Sequence, residues 1–481
     1  MNNPILSTAK TRYLQARTAQ WDAIADSRRN NFLNSYYHNR LRKVFSFLIP
    51  PGSRVLELGC GEGDLLAALH PSQGVGIDFS KKSLELGQKK HPQLRLIHSE
   101  VSDLGLVLKD EKFDFIILSD LINDLWDVQV VLESLFPYCE PNTHVIMNYY
   151  SRLWQIPLWI AQKIGFAKPV LLQNWLTTND VKNLLNLSGF EAIKNWEEIL
   201  FPLPIPLLDD FFNKFLVKTW PFNIFAMSNF LVARPSLIKA GEDHSVSVIV
   251  AARNEAGNIE NIFKRTPELG SGTELVFVEG HSSDDTYHMI EAMMEKYPQQ
   301  NVKLFRQDGI GKGDAVRKGF ENASGEILMI LDADLTVLPE DLPRFYNAIA
   351  SNRGEFINGV RLVYPMEKEA MRFFNFLGNK AFSLMFSWLL GQPIKDTLCG
   401  TKVLWKRDYD VIKNNRAYFG DFDPFGDYDL LFGAARFGLK IMDMPVRYQE
   451  RTYGTTNIQR WKHGWLLLKM VLFAASRIKF V

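Results

Sequence analysis

Few cysteines, no surplus of charge and no long apolar run set the first limits on this chain. Among 481 residues there are three cysteines, Cys60, Cys139 and Cys399, too widely spaced for a disulfide or metal pattern. That usage excludes a disulfide-built scaffold and fits a reducing, cytoplasmic setting. Lysine plus arginine number 55 against 54 acids, so no basic field draws nucleic acid, and no such partner is expected. No uncharged apolar run reaches about 18 residues, so no spanning helix is expected. The opening MNNPILSTAKTRYLQ lacks the charged-then-apolar order of a signal peptide. What the chain does have is length and 46% hydrophobic residues, enough for two or more domains with their own cores.

The strongest single stretch is Gly311 to Asp341, GKGDAVRKGFENASGEILMILDADLTVLPED. Ile327 to Leu331 is unbroken apolar sequence, as in a parallel strand buried on both faces. Asp332 and Asp334 follow it. Two carboxylates at i and i+2 on extended chain face one way. At the carboxyl end of a buried strand they suit a hard divalent cation, Mg²⁺ or Mn²⁺, held against a diphosphate.

From residue 15 to 48 the sequence reads as amphipathic helix. Strand and helix signals then alternate: Arg54–Leu58, a glycine turn, Gly74–Ile77 closed by Asp78, a helix, and strands at 94–98, 113–118 and 144–148. This βαβ alternation predicts a doubly wound α/β sheet. Glycines let a backbone approach a ligand, and the acid after the second strand can accept from ribose hydroxyls. Glu57 and Glu62 around those glycines would repel a pyrophosphate but suit a ligand carrying an ammonium and a sulfonium.

The motif VLELGCGEG, Val55 to Gly63, with GIDFS, Gly76 to Ser80, resembles the class I S-adenosylmethionine-dependent methyltransferases over roughly residues 15 to 235. The resemblance implies that Gly59, Gly61 and Gly63 shape the methionine pocket, with Glu57 at its acidic entry. Asp78 would hold the ribose, Phe79 would pack near adenine, and Glu100 would meet the adenine edge. Ser119 and Asp120 would flank the sulfonium and the methyl acceptor. The apolar segments Leu153–Gly165 and Phe201–Phe225 are expected to pack between domains, with an acceptor lid or a membrane-facing patch as alternatives. Charged and small residues at 236–244 mark a linker, dividing a first domain at 1–235 from a second at 245–481.

In the second domain, strands at 247–251, 275–278, 302–305 and 327–331 would bring Glu255, Glu279, Lys312, Asp332 and Asp334 to one sheet edge. VIVAARNEAGNI, VEGHSSDDT, GKGDAVRKGF and LDADL together resemble inverting family 2 glycosyltransferases of the GT-A fold. A nucleotide-sugar donor would then contact Ala252, Asn254, Glu255, Glu279, Lys312, Gly313, Asp332 and Asp334, the last two through the metal. Glu279 stands where the family usually has Asp. The stretch from Asn358 through the aromatic helix 366–390 to DTLCGT resembles the polyprenyl-phosphate sugar transferases. That implies Arg361 and Arg372 at an acceptor phosphate and a helix at the membrane surface. A glycan hydroxyl acceptor stays open, because Asp427 and Asp429 lie where family members place a catalytic base, which a phosphate acceptor needs less. Arg451 to Asn457 resembles the family's loop over the diphosphate. The closing GWLLLKMVLFAASRIKFV suits an interfacial helix.

Together these readings give a bifunctional glycosyltransferase and methyltransferase, peripheral at the inner face of the cytoplasmic membrane. A glycosyltransferase with a scaffold-only cofactor domain, or a membrane-peripheral assembly protein, are the other readings.

Overall fold

The computed structural model describes residues 4–26, 32–101, 103–164, 171, 173–236, 243–361, 373–418, 428–446, 449, 453 and 460–480. It resolves into two compact units, Met1–Leu237 with Phe480–Val481, and Ile238–Lys479.

The first unit is built on a seven-stranded sheet. Its strands are β1 (Arg54–Leu58), β2 (Gln73–Asp78), β3 (Arg95–His98), β4 (Phe113–Ser119), β5 (Cys139–Tyr150), β6 (Phe190–Glu198) and β7 (Ser228–Pro235). Their order is β3-β2-β1-β4-β5-β7-β6. β1 to β5 pair in parallel, while β7 runs antiparallel to both of its neighbours. Leu56, Leu58, Ile116 and Leu118 are fully buried, as expected of strands covered on both faces, with Glu57 the polar interruption in β1. β1 lies between β2 and β4, so the chain reverses its winding there and opens a crevice at the carboxyl ends.

The second unit repeats this plan. Its strands are β8 (Ser245–Ala252), β9 (Gly272–Glu279), β10 (Asn301–Arg306), β11 (Ile327–Ile330), β12 (Phe356–Val360), β13 (Lys402–Trp405) and β14 (Ile441–Pro445). The order is β10-β9-β8-β11-β13-β12-β14. β13 runs antiparallel between β11 and β12, and the other pairings are parallel. β8 and β11 therefore frame a second crevice, and the residues after them face one edge.

Several expectations change in detail. Residues 15–48 belong to two helices, Pro4–Asp26 and Phe32–Leu48, rather than one. The aromatic helix in the second unit is described as Phe373–Leu390. Phe201–Phe225 folds into short helical turns whose apolar side chains, Leu207, Phe211, Trp220 and Phe225 among them, stay exposed. Within the first unit this stretch does not join the buried core. It is held from beneath by Asn213, whose amide bonds Phe201 like a second backbone, 2.8 Å at nitrogen and 2.7 Å at oxygen.

Candidate functional site

Each crevice collects the residues singled out in the sequence. In the first, Gly59, Gly61 and Gly63 all take positive φ, 71°, 53° and 75°. At Gly59 a side chain is doubly excluded, because a Cβ there would also sit 2.9 Å from Leu121 Cδ1. The turn after β1 is tied to the end of β2 through Asp78. Gly61 N donates to one of its oxygens at 2.9 Å and Ser80 N to the other at 2.7 Å. Burial nevertheless pushes the Asp78 carboxyl above its ordinary value.

Glu57 is buried inside β1, and its Oε2 has no hydrogen-bond partner. Burial first, with the nearby Asp78 and Asp64 carboxylates adding, pushes Glu57 up to about 8. A buried acid with an open oxygen beside a glycine loop is a receptor for a cationic group. An ammonium-bearing ligand such as S-adenosylmethionine fits it.

Phe79 is half-buried, and its carbonyl faces His98 Nε2 at 3.0 Å. Glu100 pairs with Lys10 at 3.9 Å. That lysine belongs to the N-terminal helix, which crosses the carboxyl ends of the strands. Asp22 accepts from Ser80 Oγ at 2.7 Å, and Arg17 Nε donates to the Asp124 carbonyl at 3.0 Å. A groove of about 640 Å³ lies between Glu100 and this helix, lined by Lys10, Leu14, Thr18 and Asp22. Sequence reasoning did not place this helix over the site.

Ser119, at the end of β4, donates to Asn148 Oδ1 at 2.9 Å. Asn148 Nδ2 and Tyr37 OH both donate to Asp120 Oδ1, at 2.6 and 2.7 Å. Asp120 has φ 52°, a backbone conformation that a non-glycine residue holds only when its surroundings enforce it. Burial raises its carboxyl to about 7. Tyr37 stacks on Tyr150 at 6.0 Å, completing a polar and aromatic wall. Tyr37 lies before the first strand, outside any motif, so the sequence carried no signal for it.

In the second crevice, β8 ends at Ala252, whose carbonyl accepts from Gly280 N at 2.9 Å. Asn254 has φ 57°, and its Oδ1 takes the Ser283 N–H at 2.7 Å. Glu255 is buried. Its N–H donates to Thr286 Oγ1 at 2.9 Å, and its carboxylate accepts from Asn258 at 2.8 Å. Glu279 is buried too and takes the Ser282 N–H. These contacts knit the turns after β8 and β9 into one rigid floor. Gln307, after β10, donates to the Gly311 carbonyl at 2.7 Å and so sets the start of the helix Lys312–Asn322, in which Gly313 is buried.

Lys312 reaches across to Asp332, Nζ to Oδ1 2.6 Å. Burial works to raise the Asp332 carboxyl, but Lys312, with Lys402 and Arg361, holds it below the usual range. Asp334 Oδ1 accepts from Thr336 N and Oγ1 at 3.2 and 2.8 Å. Gly400 packs against this pair so closely that a Cβ would run into the Asp332 carboxylate and the Lys312 ammonium. The sequence did not mark Gly400 as part of the site.

No group of three or more His, Cys, Asp and Glu positioned for a metal occurs among the described residues. Asp332, kept ionised, and Asp334 are hard oxygen donors of the kind a divalent cation would take.

Three expectations are revised or fall outside view. Arg361 does not present an open guanidinium. It forks onto Asp396 at 2.7 and 2.9 Å, and its N–H adds a third bond at 3.0 Å. Buried this way, it shapes the wall formed by residues 396–401. Asp429 is buried with its Oδ2 3.4 Å from Arg416 Nε and 3.9 Å from Arg317. Arg372, Asp427 and most of Arg451–Asn457 lie outside the described residues. Within that loop Tyr453 packs on Gly257 and donates to Asp284 at 3.4 Å.

Two regions of the chain match known families. The Glycosyl transferase family 2 profile matches residues 247–404, and a Methyltransferase domain profile matches residues 49–189. The chain is 30% identical over 236 residues to a dolichol-phosphate mannosyltransferase of Pyrococcus furiosus, covering 47% of this chain and 64% of the relative. It is 24% identical over 217 residues to an undecaprenyl-phosphate 4-deoxy-4-formamido-L-arabinose transferase of Enterobacter sp. strain 638, covering 44% and 62%. The chain therefore spans under two thirds of either relative. Among solved structures, magnesium protoporphyrin IX methyltransferase from Synechocystis PCC 6803 with bound SAH aligns at TM-score 0.33 and 17% identity, over 48% of this chain and 99% of that one. Glucosyl-3-phosphoglycerate synthase from Mycobacterium tuberculosis, in complex with Mn²⁺, UDP and its product, aligns at TM-score 0.36 and 19% identity, over 49% and 80%. The chain thus joins a methyltransferase domain, matched at residues 49–189, to a glycosyl transferase family 2 domain, matched at residues 247–404.

Proposed function

We propose that the chain is a bifunctional enzyme acting on one lipid-linked sugar. The second unit transfers a sugar, with inversion, from a nucleotide-sugar to a polyprenyl phosphate. The first unit methylates an intermediate of the same pathway. Joining the two raises the effective concentration of one site near the product of the other.

The observation that carries the glycosyl-transfer reading is the Lys312–Asp332 pair with Asp334 at the end of β11. Asn254, Glu255 and Glu279 form a floor with polar groups for a nucleoside, and the longer Glu279 side chain fits it closely against Ser282. Lys312 is placed to meet a phosphate, and Asp332 and Asp334 would hold Mg²⁺ or Mn²⁺. A divalent cation bound there would offset charge developing on the departing diphosphate. A phosphate acceptor is favoured over a glycan hydroxyl because Asp429, one of the two expected bases, is buried with Arg416 at 3.4 Å and Arg317 at 3.9 Å, and the other, Asp427, lies outside the described residues. A phosphate is already ionised and needs no base. The names of the two relatives, transferases for dolichol phosphate and undecaprenyl phosphate, point the same way.

In the first unit, Glu57 with its open oxygen, Asp78 and the glycine turn would hold S-adenosylmethionine. That cofactor supplies an electrophilic methyl on a sulfonium. The chain itself supplies orientation and a dry pocket, with Ser119, Asp120, Tyr37 and Tyr150 on the acceptor side.

The enzyme would work peripherally at the inner face of the cytoplasmic membrane. No helix among the described residues is long and apolar enough to cross one. Thermal-shift measurements with a panel of nucleotide-sugars and Mn²⁺ test the donor site. Stabilisation by one donor, lost in Asp332→Ala/Asp334→Ala, is the expected result. Donor hydrolysis that survives this double change refutes the metal assignment.

A further inference from the structure

The first unit carries an apolar surface that neither crevice uses. The helix Gln155–Lys163 buries none of its residues. Ile156, Trp159, Ile160 and, just beyond its end, Ile164 are all exposed. At 3.6 residues per turn these positions fall within an arc of about 140° on one side of the helix. Phe225, tied to Trp154, carries the surface onto the turns of Phe201–Phe225, on which Leu207 and Trp220 are also exposed. The two segments are fastened together. Trp154 Nε1 donates to the Phe225 carbonyl at 2.8 Å, and Ser151 N donates to the Met227 carbonyl at 2.8 Å.

This surface is built, not left over. Beneath it Glu198 is buried between Arg40, at 3.2 Å, and Lys218. Arg40 also donates to the Asn213 carbonyl at 3.0 Å, and Asn213 donates to Tyr36 OH at 2.8 Å. A buried ion cluster of that kind fixes the turns in one conformation, so the apolar side chains are presented outward rather than collapsed. An exposed apolar area of this extent marks an interaction site.

We propose that this face of the methyltransferase unit seats on the surface of an anionic lipid bilayer. Charge separates a bilayer from a protein partner. The stretch 152–164 carries Arg152 and Lys163 and no acid, while on the turns of Phe201–Phe225 the acids Asp209 and Asp210 stand beside Lys214, which pairs with Asp210 at 3.3 Å. Lys163 falls within the apolar arc at the last turn of the helix, and its Nζ lies 4.0 Å over the Trp159 ring, so the long stem runs along the apolar face and ends in an ammonium. Tryptophan with lysine on an exposed apolar face suits the headgroup layer, where the ring is half wetted and the ammonium meets lipid phosphate. The preference for lipid over a second copy of the chain also rests on the lipid-phosphate acceptor proposed above. The methyltransferase unit, not the glycosyltransferase unit alone, then touches the membrane.

The three native cysteines are buried, so one introduced cysteine takes a thiol dye selectively. Leu207→Cys, at a site 85% exposed on the turns of Phe201–Phe225, is labelled in the full chain with an environment-sensitive fluorophore. Leu106→Cys, 87% exposed and outside the face, is the control. With phosphatidylcholine vesicles containing phosphatidylglycerol, a several-fold emission rise and a blue shift are expected at 207, and none at 106. The rise should fall away with phosphatidylcholine alone. It should also be lost when Trp159→Glu and Ile160→Glu are added, with unchanged thermal unfolding. No response at 207, equal responses at both sites, or a response at 207 that grows with protein concentration without vesicles each overturn the proposal. Glycosyl transfer to polyprenyl phosphate is assayed on the same proteins. Intact transfer with no response at 207 refutes the docking face alone, whereas absent transfer with a response at 207 refutes the acceptor reading alone.

Discussion

Lys312 Nζ stands 2.6 Å from Asp332 Oδ1, so before a donor arrives the ammonium neutralises the carboxylate expected to hold the metal. Metal and lysine compete for one oxygen until a diphosphate gives the lysine another partner. Mn²⁺ alone should therefore bind weakly, and a nucleoside diphosphate should tighten it by about tenfold or more, the scale of one charge-assisted bond. Electron paramagnetic resonance of free Mn²⁺ measures this. In Lys312→Met, Mn²⁺ alone should bind better while the nucleoside diphosphate binds worse.

Gly400→Ala tests how closely residues 396–401 lie on that pair. A Cβ would meet both Asp332 and Lys312. Donor affinity measured by calorimetry should drop at least ~10-fold, and Tm should fall by only a few degrees, as for a local displacement of about 1 kcal/mol. Unaltered affinity would show that this loop moves freely away from the site.

Glu57 makes a prediction about protons. Its carboxyl is pushed up to about 8 from an ordinary 4.5. The folded protein then keeps a proton that the unfolded chain releases through this window, so stability contributed at Glu57 falls as pH rises from 4.5 towards 8. Glu57→Gln should stabilise the ligand-free protein more at pH 8 than at pH 5, read as the difference in Tm. If an ammonium completes the site, Glu57 ionises on binding. Calorimetry of S-adenosylmethionine near pH 7, in buffers of different ionisation enthalpy, should report release of close to one proton.

Asp120 is held by Tyr37 and Asn148 through one oxygen, and its carboxyl sits at about 7. Asp120→Asn should keep S-adenosylmethionine affinity within a few-fold and reduce methyl transfer by about 10²-fold or more, the usual span for a positioned base. Equal loss of binding and transfer would make Asp120 a structural residue only.

Arg361 and Asp396 are a buried pair with three hydrogen bonds between them. Asp396→Ala should destabilise the protein by about 3–5 kcal/mol, the cost of leaving one buried charge unpaired. Arg361→Met/Asp396→Leu should recover most of that stability. An acceptor role for Arg361 would instead appear as a raised KM for the lipid in the stable double variant.

The sheets and their edges were legible because buried parallel strands are written as unbroken apolar runs, Ile327–Leu331 above all. The glycines and acids that follow such runs were legible for the same reason: the end of a strand fixes where they face. Partners far apart in sequence were not. Nothing in the local pattern tells Arg361 that Asp396 will take its guanidinium, or Asp120 that Tyr37 will reach it. The N-terminal helix, whose second half was expected to be amphipathic, shows no pronounced apolar stripe, so its place over the cofactor edge could not be read from periodicity. Phe201–Phe225 was harder to place. Its composition is that of a core, but its short turns offer too little continuous surface to bury it.

Tyr37 and the helix ahead of it have a practical consequence for anyone dissecting this protein. The methyltransferase profile begins at residue 49, twelve residues after the tyrosine whose hydroxyl holds Asp120. A fragment cut to that limit would keep all seven strands of the first sheet yet lose Lys10, Arg17, Asp22 and Tyr37, the groups that close over its crevice. It would also lose Arg40, Leu41, Phe45 and Leu48, which fill the core beside the sheet, so its silence in an activity assay would report the cut and be mistaken for a dead domain.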